Sequence, residues 1–168
     1  MHGGSQKPVI LIWGGSQGAQ QINEQVEKEF DELVERFQVI HITGAQKPVR
    51  RQHANYVQYD YVNDDLKHLY AITSLAISRA GANSLFELAY LEIPMILMPL
   101  QNADQQANAT YFVENGAARL YHPTQSLSHQ IEDFLKNPRI LSEVKKSLKT
   151  LATPSAAKEI ANLIQDKY

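Results

Sequence analysis

Apolar positions along the chain follow two periods, one suited to buried strands and one to amphipathic helices. Val9-Ile10-Leu11-Ile12-Trp13 is an unbroken run, rich in β-branched residues, that stops at Gly14-Gly15-Ser16-Gln17-Gly18 and gives way to a polar, helix-compatible stretch. Such a run suits a strand buried on both faces, as in a parallel sheet covered by helices. Beyond it Ile22, Val26, Phe30, Leu33, Val34 and Phe37 recur at three- and four-residue steps among Glu, Lys and Gln. That spacing predicts one amphipathic helix packed on the sheet. Residues 39–43 then read as a second strand ended by Gly44, and 56–62 as a third. Asn63-Asp64-Asp65 offers caps for a short helix through Leu66, Leu69 and Tyr70.

The opening pattern recurs in the middle of the chain. Leu75-Ala76-Ile77-Ser78 predicts a fourth strand, Arg79-Ala80-Gly81-Ala82 a second turn of small residues, and residues 83–91 another helix. Pro94 opens a fifth strand over 95–98 and Pro99 closes it. Residues 101–106 read as a polar loop leading into a helix over about 107–114, which Gly116 ends. A sixth strand is predicted over 118–121. From Ser126 onward the apolar positions are helical, interrupted at Pro138 and Pro154, with a last helix from about Ser155 to Lys167. Strands alternating with helices throughout predict the α/β class: one doubly wound, Rossmann-like parallel sheet whose ligand site lies beyond the carboxyl ends of its strands. Residues 9–168 form that domain, and residues 1–8, which carry no pattern, read as a terminal scar or linker.

Composition narrows the classes of function. A 168-residue chain with 43% hydrophobic residues can build one domain with a real core. The formal net charge of -2 argues against a nucleic-acid partner held by general electrostatics. Zero cysteines exclude disulfides, thiolate metal sites and cysteine nucleophiles. His2, His41, His53, His68, His122 and His129 are scattered without metal-ligand spacing, so neither a metal nor a cofactor is expected. No apolar run is long enough to span a bilayer and no signal peptide is evident, which places the chain in the cytosol as an expectation.

Three loops at strand ends carry the candidate chemistry. Gly14, Gly15 and Gly18 bare the backbone before a helix N-terminus, where N–H groups and the helix dipole attract an anion. Gly14-Gly15-Ser16-Gln17-Gly18 also matches the G-x-S-x-G nucleophile elbow of serine hydrolases, but in that architecture an upstream loop supplies an oxyanion donor, and here Ser16 follows the first strand. The dinucleotide fingerprint G-x-G-x-x-G is absent. In the second loop Ser84-Leu85-Phe86-Glu87 fits a capping box, with Ser84 and Glu87 each satisfying an orphan N–H. Glu87 suits ribose hydroxyls equally well, and the spacing does not choose. The third loop, Gln101 to Asn108, is dense in amides, which suit either sugar hydroxyls or solvent.

Taken together, VILIWGGSQGAQQIN, ISRAGANSLFELAYLEIPMILMPL and DQQANATYFVENGAA resemble, in order and spacing, the C-terminal donor-binding half of the MurG family. Those bacterial glycosyltransferases move N-acetylglucosamine from its UDP donor to lipid I, forming lipid II for peptidoglycan. The resemblance implies the C-terminal half of a GT-B fold. It implies that Gly14, Gly15, Ser16, Gln17, Gly18, Ala82, Asn83 and Ser84 face the donor diphosphate and the cleft. By the same carry-over Val62 reads the uracil, Glu87 holds the ribose, and Gln105 and Gln106 recognise the sugar. The catalytic base and the pocket for the lipid-linked acceptor are expected in an N-terminal domain upstream, as is any peripheral membrane contact at the cytosolic face. A related GT-B transferase with another acceptor, or a non-catalytic donor-binding subunit needing a partner, shares these features.

Overall fold

A computed structural model describes residues 7–14, 20–44, 50–62 and 65–152. The strands are β1 (Val9–Trp13), β2 (Gln38–Ile42), β3 (Tyr56–Tyr59), β4 (Leu75–Ser78), β5 (Met95–Leu97) and β6 (Arg119–Leu120). The helices are α1 (Gln20–Lys28), α2 (Phe30–Arg36), α3 (Leu66–Ile72), α4 (Ala82–Tyr90), α5 (Ala103–Glu114), α6 (Leu127–Leu135) and α7 (Pro138–Leu151). All pairings between these strands are parallel, and the sheet order among the described residues is β3-β2-β1-β4-β5-β6. The doubly wound sheet read from the sequence is therefore present.

Burial explains why the strands were legible. Ile10, Leu11 and Ile12 of β1 and all four residues of β4 are buried, as central strands covered on both faces require. A single apolar cluster runs from β1 to Leu148 of α7. α4 ends where Glu92 takes the left-handed conformation at φ 53°. There Glu92 N donates to the Ala89 carbonyl and Ile93 N to that of Leu88, both at 3.0 Å. α5 ends the same way at Gly116, with φ 68° and the bond from Ala117 N to the Phe112 carbonyl at 2.8 Å.

Several boundaries differ from expectation. The amphipathic stretch after residue 19 is two helices, divided at Glu29, whose backbone sits at φ -110° and ψ 19°. β3 ends at Tyr59 and leaves Val62 in the following loop. Residues 103–106, read as loop, form the first turn of α5, because Asn102 caps it by accepting from Gln105 N at 2.9 Å. Asp65 precedes α3 but makes no side-chain cap, while Asn63 and Asp64 lie outside the described residues. The last expected helix, from Ser155, also lies outside them.

Candidate functional site

The strand order reverses between β1 and β4, which are adjacent, with Trp13 opposite Ser78 at their carboxyl ends. In an open parallel sheet the connections leaving such a pair diverge to opposite faces, and the crevice between them receives ligands. Gly14, buried, opens the connection from β1. Gly15, Ser16, Gln17 and Gly18, expected to line the diphosphate, lie outside the described residues.

The connection from β4 is described completely. Ser78 Oγ donates to the Arg79 carbonyl at 2.9 Å, and Asn108 Nδ2, from α5, donates to the Ala80 carbonyl at 3.0 Å. Burial lowers the Arg79 guanidinium from its ordinary pKa. Ala80 is fully buried, so this turn is anchored on both sides. Gly81 is the N-cap of α4 at φ -73° and ψ 130°, and no side chain among the described residues caps the helix. The capping box that the spacing of Ser84 and Glu87 allows does not form: the helix begins at Ala82, so both residues stand inside it. Ala82, Asn83 and Ser84 thus supply first-turn N–H groups with neither a capping side chain nor a first-turn carboxylate to satisfy them. They face the crevice end of the sheet, where a phosphate would meet both the donors and the dipole.

Nothing among the described residues demands glycine at this cap. Among the described residues a Cβ at Gly81 would meet nothing nearer than Ser84 Oγ at 4.0 Å, and the backbone angles suit any residue. Gly81→Ala is therefore expected to leave folding stability within about 1 kcal/mol, reduced chain entropy in the unfolded state offsetting a poorer cap. A diphosphate docked on this N-terminus should bind about tenfold more weakly, because the added methyl group would stand where the anion approaches. Calorimetric titration beside a thermal melt checks both halves, and unchanged affinity would remove α4 from the site.

Glu87 lies five residues beyond Ala82, or about 7.5 Å along the helix axis, a reach that fits the step from a bound diphosphate to its ribose. Its carboxylate is exposed, and Oε2 accepts from the Tyr70 hydroxyl at 3.1 Å. Tyr70, on α3, is 8% exposed and packs its ring against Trp13 at a centroid distance of 6.1 Å. Burial, then the Glu87 charge and its hydrogen bond, raise the Tyr70 pKa well above the ordinary phenol value, so the hydroxyl remains a donor. Sequence reading placed Tyr70 only among the apolar positions of its helix, since its partner belongs to another element.

Gln105 and Gln106 enter from α5. Gln105 Oε1 accepts from Leu100 N at 3.0 Å, and Gln106 Nε2 donates to the Leu100 carbonyl at 2.9 Å. The two amides thus clamp the connection leaving β5, and their other polar atoms, Gln105 Nε2 and Gln106 Oε1, have no partner among the described residues. Val62, half-buried against the core in the connection from β3, completes the row of strand ends. The structure therefore places Gly14 and Val62 in connections, and Ala82, Asn83, Ser84, Gln105 and Gln106 in the first turns of α4 and α5, at the carboxyl end of one sheet, with Glu87 farther along α4. Among the described residues no group of three His, Asp or Glu side chains is placed to hold a metal ion.

A family model described as "Glycosyltransferase family 28 C-terminal domain" matches residues 9–164. The chain belongs to that family. Its relatives include the UDP-N-acetylglucosamine--N-acetylmuramyl-(pentapeptide) pyrophosphoryl-undecaprenol N-acetylglucosamine transferase of Oceanobacillus iheyensis, 37% identical over 169 residues. That alignment covers 95% of this chain and 47% of the relative. The transferase of the same name from Shouchella clausii is 41% identical over 121 residues, covering 68% of this chain and 34% of the relative. The crystal structure of Acinetobacter baumannii MurG superposes with a TM-score of 0.78 at 28% identity, over 97% of this chain and 51% of that one. UDP-GlcNAc 2-epimerase from Neisseria meningitidis, bound to UDP-GlcNAc, shares the fold at a TM-score of 0.69 and 16% identity, over 97% of this chain and 45% of that one. This family 28 domain thus has the architecture of one half of a GT-B enzyme and spans about half the length of its curated relatives.

Proposed function

We propose that this chain is the donor-binding half of an N-acetylglucosaminyltransferase that carries GlcNAc from UDP-GlcNAc to lipid I, the undecaprenyl-linked muramyl pentapeptide, to form lipid II. The observation that carries the reading is the uncapped N-terminus of α4 at the sheet's switch point, with Glu87 a turn and a half behind it on the same helix. The names of the relatives supply the two substrates.

The geometry suits an inverting displacement. The uracil would lie by Val62, the ribose diol on Glu87, the diphosphate on the N–H groups of Ala82, Asn83 and Ser84 and on the connection beginning at Gly14, and the sugar by the open amide atoms of Gln105 and Gln106. As the acceptor hydroxyl attacks the anomeric carbon, negative charge grows on the departing UDP. Fixed N–H donors and the positive end of α4 stabilise that charge without having to reorient. The base that takes the hydroxyl proton and the pocket for the lipid-linked acceptor belong to the remaining half of the enzyme. No helix among the described residues is long and apolar enough to cross a membrane, and the reaction on a lipid-linked acceptor would take place at the cytosolic membrane face.

Calorimetry on the chain tests the donor site. UDP-GlcNAc is expected to bind and ADP-glucose to bind far more weakly; equal affinities, or no binding of UDP-GlcNAc at millimolar concentration, would sink the reading. Glu87→Ala should weaken UDP by about 2 kcal/mol, some thirty-fold, through loss of charge-assisted bonds to the ribose. Glu87 caps nothing, but its removal leaves the buried Tyr70 hydroxyl without its acceptor, so the melting temperature should fall modestly.

A further inference from the structure

The carboxylate of Glu87 is held from behind by a group that nothing in the donor reading calls for. An exposed glutamate on a helix ordinarily samples several rotamers, and ordering it on a ligand costs conformational entropy. Here the Tyr70 hydroxyl already fixes one oxygen, at 3.1 Å from Oε2, while Oε1 has no partner among the described residues. Tyr70 is itself immobilised: it is buried to 8% exposure, sits on the inward face of α3, and meets the Trp13 ring at 6.1 Å with the planes tilted by 53°. Trp13 is the last residue of β1, immediately before Gly14. One packed chain, Trp13 to Tyr70 to Glu87, therefore joins the strand end beneath the first connection to the carboxylate on α4.

We propose that Tyr70 is a positioning residue: by tethering Oε2 it sets the plane of the Glu87 carboxylate to receive the vicinal diol of a ribonucleotide, and so sets the preference for ribose over deoxyribose. The inference rests on the reading of Glu87 as the ribose-binding residue. A vicinal diol presents two hydroxyl donors side by side, and a carboxylate accepts both only when its plane is aligned with them. Without the tether the carboxylate still carries its charge but must be ordered by the ligand, so selectivity for the second hydroxyl declines more than overall attraction.

Tyr70→Phe keeps the ring in the core and deletes only the hydroxyl. Titration of the whole chain with UDP and with 2′-deoxy-UDP gives a preference ratio for wild type, Tyr70→Phe, Glu87→Gln and the double variant. We expect wild type to favour UDP, and Tyr70→Phe to lower the ratio by about three- to tenfold with its melting temperature nearly unchanged. Glu87→Gln should lower the ratio at least as far, and the double variant no further than Glu87→Gln alone, since both deletions break one unit. If Tyr70→Phe retains the wild-type ratio while Glu87→Gln abolishes it, Tyr70 only packs, and Glu87 still holds the ribose. If Tyr70→Phe weakens both nucleotides equally, its role is structural and the proposal fails. If Glu87→Gln also retains the ratio, the assignment of Glu87 falls and this inference with it.

Discussion

Between neutral pH and about pH 4 the fold is expected to lose about 3 kcal/mol of stability through His41 alone. His41 is 1% exposed and forms the middle of a buried chain of hydrogen bonds. Asn23 Nδ2 donates to the Thr43 carbonyl at 3.1 Å, which turns Asn23 Oδ1 toward His41 Nε2 at 2.9 Å. Nε2 must therefore carry the proton, and Nδ1 accepts from the Tyr56 hydroxyl at 2.8 Å. Burial pushes the His41 pKa down to about 4, against an opposing contribution from the Glu27 charge, and burial raises Tyr56 to about 12. Folding thus favours neutral imidazole. Below 6.5 the unfolded chain takes up a proton that the folded chain refuses, so stability falls as pH falls and the loss is complete once the folded histidine also titrates near 4.

His41→Gln isolates that contribution, because the amide can replace both hydrogen bonds and does not titrate. Urea unfolding at a series of pH values should give a wild-type curve that drops steeply across the window and a variant curve that is much flatter. Parallel curves would show that His41 is charged in the folded state or that the chain opens locally to hydrate it.

The elements read from sequence were those whose partners are implicit in their own pattern. β1 and β4 are covered on both faces, so their apolar runs show their full extent. The opened site could not be read so directly. Ser84 and Glu87 have the spacing of a capping box, and only the start of α4 at Ala82, dictated by the turn leaving β4, shows that the box is not made. Tyr70 and Glu87 are 17 residues apart in different elements, and no periodicity predicts their bond. The amides of Gln105 and Gln106 were legible as chemistry, but their attachment to Leu100 depended on Asn102 starting α5 a turn early. Asn23, Tyr56 and His41, buried polar-bearing residues on α1, β3 and β2, form one network that exists only after those elements have docked.

The break between α1 and α2 was invisible for the same reason, and it gives the second large expected effect: Glu29→Ala should cost about 3 kcal/mol. Glu29 stands at the break because its carboxylate is committed to a helix nearly a hundred residues away. Oε1 accepts from Leu127 N at 2.9 Å, and Oε2 from Ser128 N at 3.0 Å and from Ser126 Oγ at 2.8 Å, while Gln25 Nε2 also donates to Oε1. Glu32 reinforces the contact by accepting from Ser128 Oγ at 2.6 Å. A carboxylate on the first N–H groups of α6 meets both orphan donors and the positive dipole end. Partial burial opposes its charge, but those hydrogen bonds outweigh it and hold the Glu29 pKa below the ordinary carboxylate range. Stability from this contact is therefore present above the unfolded carboxylate pKa and disappears as pH falls through the lower folded value. Glu29→Ala orphans the Leu127 and Ser128 amides at a half-buried junction, whereas Glu29→Gln keeps one acceptor oxygen but points an N–H at the other amide. The glutamine variant should consequently fall between wild type and alanine in urea unfolding. Hydrogen exchange at Leu127 and Ser128 should accelerate in both variants before α4 or α5 is affected. Unchanged protection there, or a loss below 1 kcal/mol for Glu29→Ala, would mean that Ser126 and Glu32 cap α6 without it.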